Sequence, residues 1–125
     1  MPTVRRLTAL GALLAGLSVA LGAFGSHALE TMVTPQRLET WDTAVHYHMI
    51  HALALLWLGL YLRHFPHRGV LVSALLILAG TLIFSGSLYA LVLLDIPILG
   101  AITPIGGVLL IGGWFTLAWH LARRH

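Results

Sequence analysis

The hydrophobic positions of the chain fall into four long apolar stretches that short polar segments separate. The stretches cover roughly residues 7–28, 43–62, 69–94 and 99–121, and none contains Arg, Lys, Asp or Glu. An α-helix of about 20 apolar residues spans the ~30 Å hydrocarbon core of a bilayer. One charge at the centre of such a helix would cost about 2.5–3.5 kcal/mol. The pattern predicts an all-α integral membrane protein, a four-transmembrane-helix bundle that forms one membrane domain over residues 1–125.

The first polar segment, residues 29–42, predicts a short interfacial helix in the loop between the first two spans. Thr34 suits the N-cap position, and Pro35 suits the first helical turn. Leu38 and Trp41 are three positions apart, so they would share the face that rests on the membrane. Because tryptophan is enriched at membrane interfaces, we expect Trp41 to anchor this helix at the surface.

Arginine supplies all seven basic residues, and its distribution predicts the orientation of the chain. Arg37 lies in the loop between the first two spans. The other six arginines flank the spans on the opposite side of the predicted bundle: Arg5, Arg6, Arg63, Arg68, Arg123 and Arg124. The positive-inside rule then places both termini in the cytoplasm, an N-in/C-in topology.

Composition excludes several classes of protein. Hydrophobic residues make up 58% of the chain and charged residues 9%, whereas soluble domains average about 25% charged residues. The absence of cysteine excludes disulfides, a thiol nucleophile and a cysteine metal site. The arginines lie at the ends of apolar stretches rather than in one patch, which argues against a nucleic-acid partner. The first stretch exceeds the ~7–15 residues of a signal-peptide core, which favours a retained helix.

Small residues at helical spacing predict close helix packing in the first and fourth spans. The residues concerned are Gly11, Ala15, Ser18, Gly22 and Gly25 in the first span, and Gly106 and Gly113 in the fourth. Small side chains let the backbones of membrane helices approach closely. Such a face also suits contact between two copies of the chain or with another membrane protein. The expected partners are therefore the lipid bilayer and, through such a face, a homo-oligomer or other membrane proteins.

Polar side chains concentrate in one half of the predicted bundle, at the ends of the spans near Arg37. His48 and His51 are three positions apart on the second span, and Ser85 and Tyr89 are four apart on the third, so each pair shares a helix side. The complete candidate layer is His27, His48, His51, Ser85, Tyr89 and Thr103. The spacing predicts that inward packing brings these groups together as a structural or ligand-binding polar layer.

Three interpretations of this layer stay open. In the first, neutral imidazoles hydrogen-bond to Ser85, Tyr89 or backbone carbonyls and fix helix register in a non-enzymatic structural or interaction protein. In the second, the layer serves a small channel or transporter. In the third, His48 and His51 bind a metal ion or a b-type haem. The spans hold no carboxylate to complete a metal site, so we expect no cofactor and no firm metal site. The sequence contains no phosphate-binding loop and no nucleotide-binding fingerprint, so we expect a protein that is not an enzyme.

Four motifs spread over most of the chain resemble the domain-of-unknown-function 423 family of small multi-pass membrane proteins, which includes bacterial YgdD-like proteins and eukaryotic transmembrane protein 256. The motifs are LGAFGSHAL at 21–29, TAVHYHMIHAL at 43–53, FSGSLY at 84–89 and ITPIGG at 102–107. The resemblance implies a four-helix integral membrane protein, located in bacteria in the cytoplasmic (inner) membrane. It implies no assigned activity and no catalytic residue.

Overall fold

The structure, a computed structural model, describes residues 2–123 and consists mostly of four long helices. They are α1 (Pro2–His27), α2 (Pro35–His64), α3 (Arg68–Leu94) and α4 (Thr103–Ala122). All four are long and apolar enough to cross a membrane. The predicted all-α membrane fold with four spans is thus confirmed. Arg124, one of the six arginines used to predict orientation, lies outside the described residues.

Helix α2 begins well before the apolar stretch that predicted it. Thr34 caps the helix, because its Oγ1 accepts a hydrogen bond from the Arg37 backbone N–H at 3.3 Å, and Pro35 occupies the first turn. Residues 36–58 contain neither glycine nor proline, so nothing interrupts the helix after this start. The segment predicted as a separate interfacial helix therefore forms the first turns of α2. Only a 3₁₀ turn at Leu29–Thr31 remains in the connection.

Trp41 is buried inside the protein, and the prediction that it anchors the membrane surface is wrong. Its side chain is 0% exposed, and its indole N–H donates a hydrogen bond to the Leu21 carbonyl of α1 at 2.9 Å. The indole fills the space in front of Gly25, where a Cβ would lie 2.6 Å from Trp41 Cδ1. Because α2 starts at Pro35, Trp41 lies within the helix and packs against α1.

The helices pack in chain order, with α1 against α2, α2 against α3, and α3 against α4. Within residues 2–123, the backbones of α1 and α4 make no close approach to each other. Helices α2 and α3 therefore form the centre of the bundle, and α1 and α4 form its edges. The main core runs along the central pair, where Leu55, Leu58 and Ile77 are fully buried. This arrangement makes α2 and α3 the helices that position most of the buried polar groups.

Glycines allow two backbone-to-backbone crossings. A Cβ on Gly11 would lie 2.5 Å from the Leu56 backbone nitrogen, so α1 contacts α2 directly there. A Cβ on Gly106 would lie 2.8 Å from Phe84 Cα, so α4 contacts α3 in the same way. The other predicted small residues lie on the inner faces of these two helices or at their borders: Ala15, Ser18, Gly22, Gly25 and Gly113.

Candidate functional site

The structure divides the six candidate polar residues among separate places instead of one common axis. His48, Ser85 and Tyr89 lie together between α2 and α3, whereas His51 turns toward α4. Thr103 lies at the start of α4. His27 is exposed at the end of α1 and joins none of these groups. The divergence of His48 and His51 arises because a three-residue step rotates a side chain by about 60° around the helix, enough to reach a different neighbour.

His48 is buried at 5% exposure and pairs with a tyrosine of the neighbouring helix. Its Nδ1 lies 2.8 Å from the hydroxyl of Tyr89. Among residues 2–123, its Nε2 is the single buried side-chain nitrogen or oxygen without a hydrogen-bond partner. The Leu14 backbone of α1 lies beside the imidazole but completes no hydrogen bond of normal geometry with Nε2. This nitrogen is the one unsatisfied group that the candidate layer offers to a proton or a ligand.

A cavity of about 200 Å³ lies beside His48, between α1 and α3. Four leucines, four residues with polar side chains and one glycine line it: Leu14, Leu17, Leu21, His48, Thr81, Leu82, Ser85, Gly86 and Tyr89. A Cβ on Gly86 would meet nothing within 4 Å, so the glycine keeps this wall open. Ligand pockets usually measure about 300–1,000 Å³, so this cavity is too small for a haem group.

Ser85 joins α3 to α2 directly. Its Oγ donates a hydrogen bond to the Ala44 carbonyl at 2.8 Å, and both residues are buried. Tyr89, one turn further along the same side of α3, packs against Trp41 with the two rings tilted by 55° and their centroids 4.7 Å apart. Hydrogen bonds between membrane helices contribute about 0.6 kcal/mol on average, so the bond of Ser85 and the pairing of Tyr89 with His48 help to fix the register of α2 against α3.

His51 uses both of its ring nitrogens. A backbone carbonyl only accepts hydrogen bonds, so Nδ1 must donate to the Tyr47 carbonyl, which lies 2.7 Å away. Nε2 accepts a hydrogen bond from the indole N–H of Trp114 at 2.9 Å. These two bonds define a neutral imidazole with its proton on Nδ1. They also occupy the lone pair that a metal ion or haem iron would need.

Trp114 is a site residue that was not expected from the sequence. Tryptophan is enriched at membrane interfaces, yet Trp114 lies near the middle of α4. The position of Trp114 in the middle of the fourth span could have identified it from the sequence, because an indole N–H at the depth of the hydrocarbon core requires an acceptor inside the protein. Tyr47, Phe84 and Phe115 line the same crevice as His51 and Trp114, so the pair lies in an aromatic environment.

Thr103 forms a third polar contact on the opposite side of α3 from Ser85. Its Oγ1 lies 2.6 Å from the Oγ of Ser87, and the two hydroxyls share a hydrogen bond. Ser87 also donates to the Phe84 carbonyl at 3.0 Å. This pair fastens the start of α4 to α3 close to the crossing at Gly106.

The residues present provide no ready-made set of metal ligands. Within residues 2–123, no group of three His, Cys, Asp or Glu side chains is placed to hold a metal ion. His48 and His51 face different helices, and Nε2 of His51 already accepts the Trp114 hydrogen bond. Binding a metal ion through both histidines would require their hydrogen bonds to Tyr89 and Trp114 to break and the two imidazole rings to turn toward each other.

Comparison with known proteins gives consistent matches to one group of membrane proteins. A family model described as "Protein of unknown function (DUF423)" matches residues 21–107. A UPF0382 membrane protein of Staphylococcus aureus is 48% identical over 108 residues, which cover 86% of this chain and 88% of that protein. The UPF0382 membrane protein YwdK of Bacillus subtilis is 46% identical over 109 residues, covering 86% and 89%. No solved structure is significantly similar. With its four spans the chain is a multi-pass membrane protein, and it belongs to the DUF423 family.

Proposed function

We propose that this chain is a non-enzymatic protein of the bacterial cytoplasmic membrane with a structural or interaction role and with both termini in the cytoplasm. The main support is that the polar groups of its spans bond to one another. His51 is bonded through both nitrogens, Ser85 bonds to Ala44, and Thr103 bonds to Ser87. A catalytic site needs convergent groups that a substrate can reach, and these bonded groups instead hold the helices together.

Purified protein reconstituted in liposomes tests this role against transport and cofactor binding. We expect a colourless, metal-free protein that conducts neither protons nor ions. We expect His51→Ala to lower thermal stability and to change nothing else. A Soret band, a stoichiometric metal ion, or a solute flux that His51→Ala abolishes would overturn the proposal.

Photo-crosslinking in intact cells tests the interaction role. Gly16 on α1 and Ile111 on α4 lie on the exposed sides of the two edge helices, so a crosslinking side chain there faces whatever covers these helices. We expect protein adducts of discrete mass, either a second copy of the chain or another membrane protein. If only lipid adducts are recovered at both positions, the interaction role is wrong and the structural role remains.

A small channel or transporter is the second candidate, and the unpartnered Nε2 of His48 is the observation that favours it. An imidazole with one free nitrogen, paired to Tyr89 through the other, is suited to passing a proton. Proton flux in liposomes that His48→Gln abolishes and Tyr89→Phe reduces would support this candidate. Absence of flux in the wild-type protein would remove it.

A further inference from the structure

The end of the molecule where α1 starts and α2 passes into α3, here called the Arg63 end, carries a concave surface that two arginines line. The concavity measures about 350 Å³ and is formed by Pro2, Val4, Arg5, Leu62, Arg63 and Pro66. A second concavity of about 390 Å³ lies next to it. It shares three of these residues and adds three more: His67, Arg68 and Leu71. Cationic side chains therefore meet an apolar wall at this end of the bundle.

The arginines at this end have no acidic side chain to pair with. The four acidic residues of the sequence all lie at the opposite end, in the connection before α2, in the first turns of α2 or just after α3: Glu30, Glu39, Asp42 and Asp95. Within residues 2–123, the single ion pair joins Arg37 and Asp95 at 3.2 Å, also at that opposite end. The guanidinium groups of Arg5 and Arg63 are thus available to an anion from outside the chain.

The N-termini of α1 and α3 lie at the Arg63 end, together with the C-termini of α2 and α4. Helix α1 begins at Pro2 and α3 begins at Arg68, and the first backbone N–H groups of a helix have no partner within it. These N–H groups can donate to an anion, but the C-terminal ends of α2 and α4 offset the dipoles of α1 and α3, so the positive charge of this end comes from its arginines. The His67 side chain already accepts a hydrogen bond from the Val70 N–H, and Pro2 has no backbone N–H to donate, so the first turns of both helices offer few free donors.

The floor between the arginines is apolar. Val4 and Leu62 are 5% and 3% exposed, and they separate the two concavities at the point where the main core begins. A free inorganic anion gains nothing from such a floor. A molecule with an anionic head and an apolar body gains from the arginines and from the floor together.

We propose that this concavity binds the phosphate diester of an anionic phospholipid, with Arg5 and Arg63 contacting the phosphate. Arginine presents paired N–H donors that match phosphate oxygens, and basic pockets between membrane helices suit anionic headgroups. The acyl chains lie along the lipid-facing sides of α1 and α2. This role is distinct from the positive-inside rule. That rule applies equally to every arginine near a span, whether or not the arginine lines a cavity.

Lipid titration of the purified full chain tests this site, with dioleoyl phosphatidylglycerol as the probe and phosphatidylcholine or inorganic phosphate as comparisons. We expect saturable binding of phosphatidylglycerol only, measured by native mass spectrometry and as a rise in melting temperature. The double variant R5Q/R63Q should bind about tenfold more weakly or worse, because it removes both guanidinium groups that contact the phosphate.

The matched control is R6Q/R123Q, which removes the same net charge from the same end without altering the residues that line either concavity. We expect it to bind phosphatidylglycerol as the wild type does. The single variants R5Q and R63Q, each with an intermediate loss, test the site if the double variant is unstable without lipid. If the two double variants lose equal affinity for phosphatidylglycerol, binding depends only on the net positive charge of this end, and the proposal is overturned. Equal stabilisation by inorganic phosphate would overturn the assignment to a lipid.

Discussion

At the scale of single residues, the imidazole of His51 lies in a region where water is scarce and every unpaired nitrogen is costly. Hydrogen bonds in such surroundings are stronger than in water, and the loss of one partner leaves the other unsatisfied. The bond from Nδ1 to the Tyr47 carbonyl holds the imidazole against α2. The bond from the Trp114 indole to Nε2 then joins α2 to α4. The sequence left open whether His51 binds a ligand or forms structural hydrogen bonds, and the structure gives it two internal partners.

Trp114→Phe should destabilise the protein by about 1–3 kcal/mol, because it leaves Nε2 of His51 buried without a donor. The free energy of unfolding in mixed micelles, titrated with sodium dodecyl sulfate, measures the effect. Trp57→Phe is the matched control, since Trp57 is half exposed and stacks on Tyr61 through a ring that phenylalanine also provides. Equal losses in the two variants would show that ring size, not the hydrogen bond to His51, is responsible.

Tyr89→Phe should also lower the free energy of unfolding, by about 1–3 kcal/mol, because it leaves both nitrogens of His48 without a partner. The aromatic contact with Trp41 survives this change, so the hydroxyl alone is tested. Tyr47→Phe is the control, because the Tyr47 ring is 41% exposed and its contacts with Phe84 and His51 involve the ring only. The same unfolding titration applies, and a neutral Tyr89→Phe would contradict the structural role of His48.

At the scale of helices, the small residues determine which helices touch. Gly11 sets α1 against the backbone of α2 near Leu56, and Gly106 sets α4 against α3 near Phe84. Backbone contacts at these crossings fix the axial position of each edge helix. The hydrogen bonds of Trp41 to Leu21 and of Trp114 to His51 depend on those positions. The glycines therefore determine, through the positions of the edge helices, whether these hydrogen bonds can form.

Gly11→Ala should destabilise the protein by about 1–3 kcal/mol, because its Cβ would overlap the Leu56 backbone, which has no freedom to move aside. Gly16→Ala on the same helix is the control. A Cβ there meets nothing within 4 Å, so the higher helix propensity of alanine should leave stability unchanged or raise it. Thermal unfolding in detergent compares the two variants, and a Gly11→Ala protein as stable as Gly16→Ala would contradict the close crossing.

The second crossing allows an independent test with the same design. Gly106→Ala should destabilise by a similar amount, about 1–3 kcal/mol, because its Cβ would overlap the Phe84 backbone. Gly112→Ala, where a Cβ meets open space, is its control on α4. If Gly106→Ala also weakens the contact of Thr103 with Ser87, residues 103–106 act as one packed turn.

At the scale of the whole molecule, charge is distributed unequally between the two ends. Arg5, Arg6, Arg63, Arg68 and Arg123 lie at the Arg63 end, and all acidic side chains lie at the other. The Arg37–Asp95 ion pair closes the acidic end by joining the start of α2 to the residue after α3. Exposed pairs of this kind contribute about 0.2–1 kcal/mol, so it fastens loops without determining the fold.

Both termini should lie in the cytoplasm, because the positive-inside rule retains the arginine-rich end there. Fusions of green fluorescent protein to either terminus, which fluoresce only in the cytoplasm, should be bright. Alkaline phosphatase fused to the C-terminus should be inactive. An active C-terminal phosphatase fusion would contradict the predicted orientation, and a fusion in the 29–34 connection provides the positive control.

The sequence by itself determined the four spans, the small-residue seams and the asymmetry of charge. These features depend on local composition and helical spacing. A long apolar stretch must be helical in lipid, since its backbone groups have no other partner there. The stripe that runs from Gly106 through Leu110 and Gly113 to Leu117 follows from spacing alone, and these four residues are the buried residues of α4.

Only the tertiary structure decided which partner each polar side chain has. Trp114 reaches a histidine 63 positions away, and Trp41 reaches a carbonyl 20 positions away. Spacing fixes the face of a helix on which a residue lies, but not the rotation and axial shift of that helix against its neighbours. Those depend on contacts between distant segments, such as Gly11 with Leu56. For this reason His48 and His51, three positions apart on one helix, have partners on two different helices.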